Sequence, residues 1–522
     1  MSPQIKDKFE KLYTIILIVC VIICSVFIIK AKENYYIDEI ISYILSNGVN
    51  VIQMEFEDGV KYSGEELPWY TYMAVSEESR FNLENVWINQ KNDVHPPLYY
   101  VFFNLVCSLF PGRISNWFPG IINIAFYIVA AVYLNKISSS LISNRFINGI
   151  ILLSVTLCYG MIQMNSFFRM YTMAMTWVSL ISYLNVQVLM RCNIRPSHYI
   201  KLGIAVLLGA LTHYYVIVFV VFQSVAVVIA LYLLKRRREL PAYIAAMLLS
   251  GLHTLLLFPY MIFHIFTGGY RGQEAFANFG STGTERFGEF MNILDEQLFG
   301  GLFFLIVIGL AVIVIYRRIK LGKEWRRIVS ENKTRLFAWL TLVLPVVLFF
   351  FVVSKSAVFI VDRYIYPIYG IVLLIIVGGI GWGIWSVFGN KKIAKVVLGG
   401  IVGAFLVMGY RDADWPYLYH SEESRTALEN ADKYKECSCV YVYNAKWACE
   451  LSFLEGIKYK DIVFYHQDSV QKITGLDGPT VIYVPIGKPE ELIEQIMAQN
   501  PERKGYEVIS EFSPYEIGYI VY

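Results

Sequence analysis

Charge is what this 522-residue sequence has least of. Asp, Glu, Lys and Arg make up 17% of it, against 56% hydrophobic and 16% aromatic residues, with a mean hydropathy of +0.49. A soluble chain of this size normally carries more charge, about a quarter of its residues, so a water-soluble globular protein is excluded. Metal-binding cysteine patterns are missing too. Of the eight cysteines, Cys20, Cys24, Cys107 and Cys158 fall in apolar segments, where a thiol acts as a small hydrophobe. Cys437, Cys439 and Cys449 lie close together in a polar tail, but not at zinc spacing, and a disulfide among them is left open. There is no phosphate-cradling glycine loop in that tail, and no solenoid repeat or low-complexity tract in the chain. The first apolar run, Leu12 to Ile29, follows Lys6, Lys8 and Lys11 but lacks a small-residue cleavage site, so it reads as a retained helix and not a signal peptide.

What is present is a series of apolar runs near or above the length that crosses a bilayer. The spacing places spans at about 12–30, 117–135, 146–164, 170–190, 200–213, 215–234, 241–263, 298–316, 336–354, 364–388 and 393–410. The run Pro97 to Phe110 decides the topology. With 14 residues it is short for a span. If it does not cross, 23 Lys and Arg, including Lys235–Arg238 and the cluster from Arg317 to Arg335, collect on the side of the N-terminus. If it crosses, every later cluster moves to the other side. The positive-inside rule selects the first arrangement, with a cytoplasmic N-terminus, and makes those clusters topology determinants. Residues 31–116 then form a long external loop, in which Ile37, Ile40, Ile41, Ile44 and Leu45 have the spacing of a helix lying in the interface. A second external loop, His264 to Gln297, has the composition of a mobile cover.

The fold class expected is therefore an all-α polytopic membrane protein with about eleven transmembrane helices in residues 1–410. A small extracytoplasmic α/β domain follows in 411–522, because strand-like runs at Val440–Tyr443, Asp461–Tyr465 and Thr480–Val484 alternate there with helix-like runs at Trp447–Leu454 and Pro489–Gln499.

With this topology the notable polar motifs gather on the outer face: Asp38-Glu39 after the first span, Asn92-Asp93-Val94-His95-Pro96-Pro97-Leu98-Tyr99-Tyr100, Phe168-Arg169-Met170-Tyr171, His213-Tyr214-Tyr215 and Asp362-Arg363-Tyr364. Carboxylates at the mouth of a helical bundle are costly to desolvate and usually have a function.

These motifs carry a resemblance. Asp38-Glu39 with their flanks, His95-Pro96-Pro97-Leu98-Tyr99, Arg169 with Tyr171, and Arg363-Tyr364 before Pro367 resemble in order and spacing the GT-C superfamily of membrane glycosyltransferases, of the protein O-mannosyltransferase and lipid A aminoarabinose transferase type. The match covers roughly residues 1–410. The resemblance implies a polyprenyl-phosphate-linked sugar as donor, inversion at the sugar carbon, and a site on the outer side of the membrane, with a glycan, lipid or protein as acceptor.

Elementary chemistry assigns the roles. A sugar on a lipid phosphate already has a good leaving group, so one base for the acceptor hydroxyl and one cation for the departing phosphate suffice. Asp38 is assigned as the base and Glu39 as a residue that orients the acceptor or a neighbour. Arg363 is the first choice for the phosphate, because a guanidinium binds it bidentately, with Arg169 second and His95 on the phosphate or the acceptor. Tyr99, Tyr171, His213 and Tyr364 complete the substrate contacts, although His213 reads as well as a satisfied helix-end residue, while His253 and His264 are taken as structural. No compact carboxylate cluster marks a metal site; a divalent cation is left open as cofactor, and no nucleic-acid partner is assigned. The rival readings are a transporter or flippase of a lipid-linked sugar, which predicts broken helices in paired repeats, and a non-catalytic envelope scaffold.

Overall fold

The computed structural model describes residues 3–267, 270–281, 283, 285–411, 413–512 and 516–522. The chain folds into two units: Met1–Lys30 with Val94–Tyr99 and Gly120–Asp414, and Ala31–Asp93 with Tyr100–Pro119 and Trp415–Tyr522.

The first unit is helical. Among the described residues, eight helices are long and apolar enough to cross a membrane: Thr14–Ala31, Trp117–Leu141, Tyr171–Met190, Tyr214–Leu233, Arg237–Leu257, Lys333–Ser356, Tyr366–Val387 and Lys391–Arg411. Two bent pairs, Arg145–Leu157 with Tyr159–Ser166 and Glu285–Phe299 with Phe303–Leu321, raise the number to ten if each is one span. This is an integral membrane protein. Eleven spans were expected. The remaining one, 200–213, is the 15-residue helix Pro196–Ala210, which matches the short run that marked it and falls below the length of the other spans.

Buried side-chain amides lock this bundle. Gln223 donates to the Thr341 carbonyl at 3.1 Å and to the Ser182 hydroxyl at 3.0 Å, and accepts from Asn185 at 2.9 Å. With no hydrophobic drive between helices in lipid, such bonds and close packing select the helix partners.

The expected cover, His264 to Gln297, carries two helices, Tyr270–Ser281 and Glu285–Phe299; residues 268, 269, 282 and 284 lie outside the described residues. The second of them has Phe290, Leu294 and Leu298 at four-residue spacing, and all three are buried.

The second unit combines the first loop with the tail. Asn89 ties the helix Leu83–Asn92 to Ile37–Asn47, donating to the carbonyls of Leu45 at 3.1 Å and Gly48 at 2.8 Å, and Asn47 ties Ile37–Asn47 to Pro68–Met73, donating to the Met73 carbonyl at 2.6 Å. The short apolar run that decided the topology is the ten-residue helix Leu98–Cys107, about 15 Å long. The sheet has six strands, β1 Lys61–Tyr62, β2 Ser438–Tyr443, β3 Asp461–His466, β4 Thr480–Pro485, β5 Tyr506–Phe512 and β6 Glu516–Val521, in the order β1-β3-β2-β4-β6-β5. The pairs β2–β3 and β2–β4 are parallel, and the rest antiparallel.

This sheet is not confined to 411–522, because β1 comes from the first loop and pairs Lys61 with Val463. Trp69, fully buried, donates its indole N–H to the Cys449 carbonyl at 3.2 Å. A Cβ at Gly456 would fall 2.2 Å from the Trp69 ring, so only glycine fits there. Phe56 stacks on Phe464 at 4.1 Å. Cys437, Cys439 and Cys449 are free thiols.

Candidate functional site

In the helical unit the break between Tyr159–Ser166 and Tyr171–Met190 carries Phe167, Phe168 and Arg169. Asn123 holds the break, donating to the carbonyls of Asn165 at 3.0 Å and Phe167 at 3.2 Å, and Asn165 in turn donates to the Ser25 hydroxyl at 2.9 Å. Arg169 is buried there, 3% exposed.

His213 lies at the turn between Pro196–Ala210 and Tyr214–Leu233, where it caps the second helix by accepting the Tyr215 N–H on Nδ1 at 3.1 Å. The amide of Leu98 donates to the Leu211 carbonyl at 2.9 Å, which pins the His95-Pro96-Pro97 segment to that turn. As a result the His95 and His213 rings lie 6.2 Å apart, Tyr171 lies 5.3 Å from His213, and Tyr215 5.0 Å from it. Tyr215 meets Tyr364 edge-on at 5.5 Å. The Arg363 guanidinium stands 5.9 Å from the Phe167 ring, which stacks on Tyr171 at 5.8 Å. Of the residues expected at the site, His95, Arg169, Tyr171, His213, Arg363 and Tyr364 thus gather in one cluster. Tyr99 belongs to the same unit and is fully buried at the start of its helix.

The electrostatics follow from this packing. Burial, with His95 and Arg169 adding positive charge, pushes His213 well below the usual imidazole range. Its ring is therefore neutral near pH 7, and because Nδ1 accepts, the proton sits on Nε2. Two guanidiniums and an imidazole donor over an aromatic floor form an arrangement suited to an anion such as phosphate.

Sequence reasoning missed what fixes Arg363. Its neighbour Asp362 accepts from Gln297 at 2.8 Å and from the Tyr366 hydroxyl at 2.5 Å, and Gln297 also accepts from Tyr369 at 2.8 Å. The Asp beside the Arg was visible in the motif, but Gln297, 65 residues away, gave no signal. Of the two histidines taken as structural, His264 pairs its Nδ1 with the Tyr214 hydroxyl at 2.7 Å, and His253 pairs its Nδ1 with the Leu249 carbonyl at 2.6 Å.

In the other unit, Asp38 and Glu39 open the Ile37–Asn47 helix and differ sharply. Asp38 is half-buried, and its carbonyl accepts the Ser42 hydroxyl at 2.8 Å. Glu39 is 1% exposed and occupied on both oxygens: Oε1 accepts from Lys32 at 2.9 Å, and Oε2 accepts the Tyr36 N–H at 2.8 Å. The second bond is the returning half of a capping box. Lys32, which local pattern does not single out, is buried and also donates to the Tyr417 carbonyl. Burial lowers its ammonium from the ordinary range, with Glu39 opposing. Glu39 therefore positions the helix start that carries Asp38. Among the described residues, no group of three His, Cys, Asp or Glu side chains is placed to hold a metal ion.

No protein-family model and no curated protein sequence matches the chain. Its structure is similar to those of several solved proteins, among them the following two. One is ArnT from Cupriavidus metallidurans in the apo state, at a TM-score of 0.47 and 11% identity, over 92% of this chain and 95% of that one. The other is the archaeal oligosaccharyltransferase AglB from Archaeoglobus fulgidus, in complex with an inhibitory peptide and a dolichol-phosphate, at a TM-score of 0.45 and 9% identity, over 94% of this chain and 72% of that one.

Proposed function

We propose that this protein is an inverting glycosyltransferase that moves one sugar from a polyprenyl phosphate to an acceptor hydroxyl on the outer face of the membrane. The observation that carries the reading is the gathering of His95, Arg169, His213 and Arg363, from four separate stretches of chain, over the rings of Phe167, Tyr171, Tyr215 and Tyr364. In this reading Arg363 and Arg169, with His95, receive the donor phosphate. Asp38 takes the proton of the acceptor hydroxyl. The acceptor oxygen forms its bond to the sugar carbon as the bond from that carbon to the phosphate oxygen breaks, and the polyprenyl phosphate departs with the electron pair. The acceptor is a glycan, a lipid or a protein. The distribution of Lys and Arg supports a cytoplasmic N-terminus and an extracytoplasmic site.

The test uses the full-length protein in lipid nanodiscs with a radiolabelled polyprenyl-phosphate sugar and an envelope extract as acceptor source. Wild type is expected to release polyprenyl phosphate and label an acceptor, and Asp38→Asn to abolish both while donor binding persists. Full activity in Asp38→Asn removes the base assignment. Movement of the lipid-linked sugar across liposomes without transfer replaces the reading with that of a flippase.

A further inference from the structure

Nine residues, Lys323–Glu331, form a helix between two membrane elements, Phe303–Leu321 before it and Lys333–Ser356 after it. A link this short stays at the depth where both elements leave the bilayer, level with the lipid headgroups. The helix is two-faced. Trp325, Ile328 and Val329 recur at the spacing of an apolar stripe, while Lys323, Arg326 and Arg327 occupy the remainder. A cleft of about 340 Å³ opens between this helix and the first turns of Lys333–Ser356, with Trp325, Arg326, Ser330, Lys333, Leu336 and Phe337 among its walls.

The cleft surface is almost wholly apolar, and Leu336 and Phe337 continue it along the span; Arg326, Ser330 and Lys333 border it and bring two cations and a hydroxyl to its margin. Lys333 also donates to the Leu233 carbonyl at 3.3 Å, which brings the Lys235–Arg238 run to the same end of the bundle. Residues 235–239 and 317–335 together hold twelve Lys and Arg against three Glu. Setting membrane orientation needs only an excess of positive charge near the span ends. It does not need a cleft whose cations adjoin an apolar wall.

We propose that this cleft binds one anionic phospholipid, with the phosphate held by Arg326, Ser330 and Lys333 and an acyl chain lying along Leu336 and Phe337. The charge complementarity and the headgroup depth both select that occupant. The inference does not depend on the reaction proposed above.

Native mass spectrometry of the full-length protein, titrated with phosphatidylglycerol or phosphatidylcholine, tests it. Wild type is expected to retain one phosphatidylglycerol at least five-fold more tightly than phosphatidylcholine. The Arg326→Gln/Lys333→Gln variant is expected to lose that preference, and a control, Arg145→Gln/Lys395→Gln, to keep it. Ser330→Asp leaves every cation in place and puts a like charge at the phosphate position, so it is also expected to lose the preference; it decides the matter if the double variant does not assemble. No preference in wild type, or a preference unchanged in both cleft variants, overturns the proposal. So does equal loss in the control, since the effect then belongs to net charge and not to the cleft.

Discussion

Replacing Glu39 by alanine removes one half of a pair that is almost completely enclosed: the Lys32 side chain is 0% exposed and the Glu39 side chain 1%. Breaking a buried ion pair from one side leaves an uncompensated charge and costs about 3–5 kcal/mol. Losing the bond from Oε2 to the Tyr36 N–H removes a helix cap worth about 1 kcal/mol. The Ile37–Asn47 helix is therefore expected to lose roughly 4–6 kcal/mol against opening. Removing both charges in Lys32→Met/Glu39→Leu leaves no buried charge, and the remaining loss is about 1–2 kcal/mol, chiefly the cap. Amide hydrogen exchange of residues 37–47 in the nanodisc-embedded protein reads this directly. Glu39→Ala and Lys32→Met are each expected to speed exchange there by at least about a hundred-fold, with the double variant closer to wild type than either single one. Single variants that exchange like wild type, or a double variant whose loss is the sum of the two, refute the claim that the pair sets the helix start under Asp38.

The remaining predictions concern donor binding and pH. Arg363→Ala is expected to weaken binding of polyprenyl phosphate by about 10- to 100-fold, the scale of a lost charge-assisted hydrogen bond, and Arg363→Lys to recover part of it; unchanged affinity in Arg363→Ala removes it from the phosphate site. Because His213 is held neutral, donor affinity between pH 6 and 8 is expected to show no inflection from it, and His213→Asn, whose side chain still accepts the Tyr215 N–H, is expected to keep the wild-type profile. An inflection near pH 6.5 that vanishes in His213→Asn contradicts the assignment. In the second unit, burial raises Glu455 from the ordinary 4.5 to about 8. A carboxyl whose folded pKa lies above its unfolded one stabilises the fold most below pH 4.5 and loses that contribution as pH rises through 8, on the order of 5 kcal/mol in full. Exchange protection of β2 and β3 is therefore expected to fall over that window in wild type and to fall less in Glu455→Gln; equal slopes count against a protonated Glu455.

The membrane character and the positions of most spans followed from composition and run length, because twenty apolar residues in a row have few other uses. The first-loop helix from Ile37 and the tail strands near 440, 461 and 480 followed from periodicity, a local property. Likewise Arg169 and Arg363 stood out because charge is rare in such a chain. What belongs to tertiary structure is the identity of partners far apart in sequence. Lys32 gave no local signal and is Glu39's buried partner; Gln297 looked like part of a loop and anchors Asp362; Lys61–Tyr62 gave no strand signal and joins a sheet some 400 residues away. Local pattern is written in neighbouring residues and survives without coordinates. Pairing over long separations depends on where the whole chain packs, and two residues carry no mark of each other until it has.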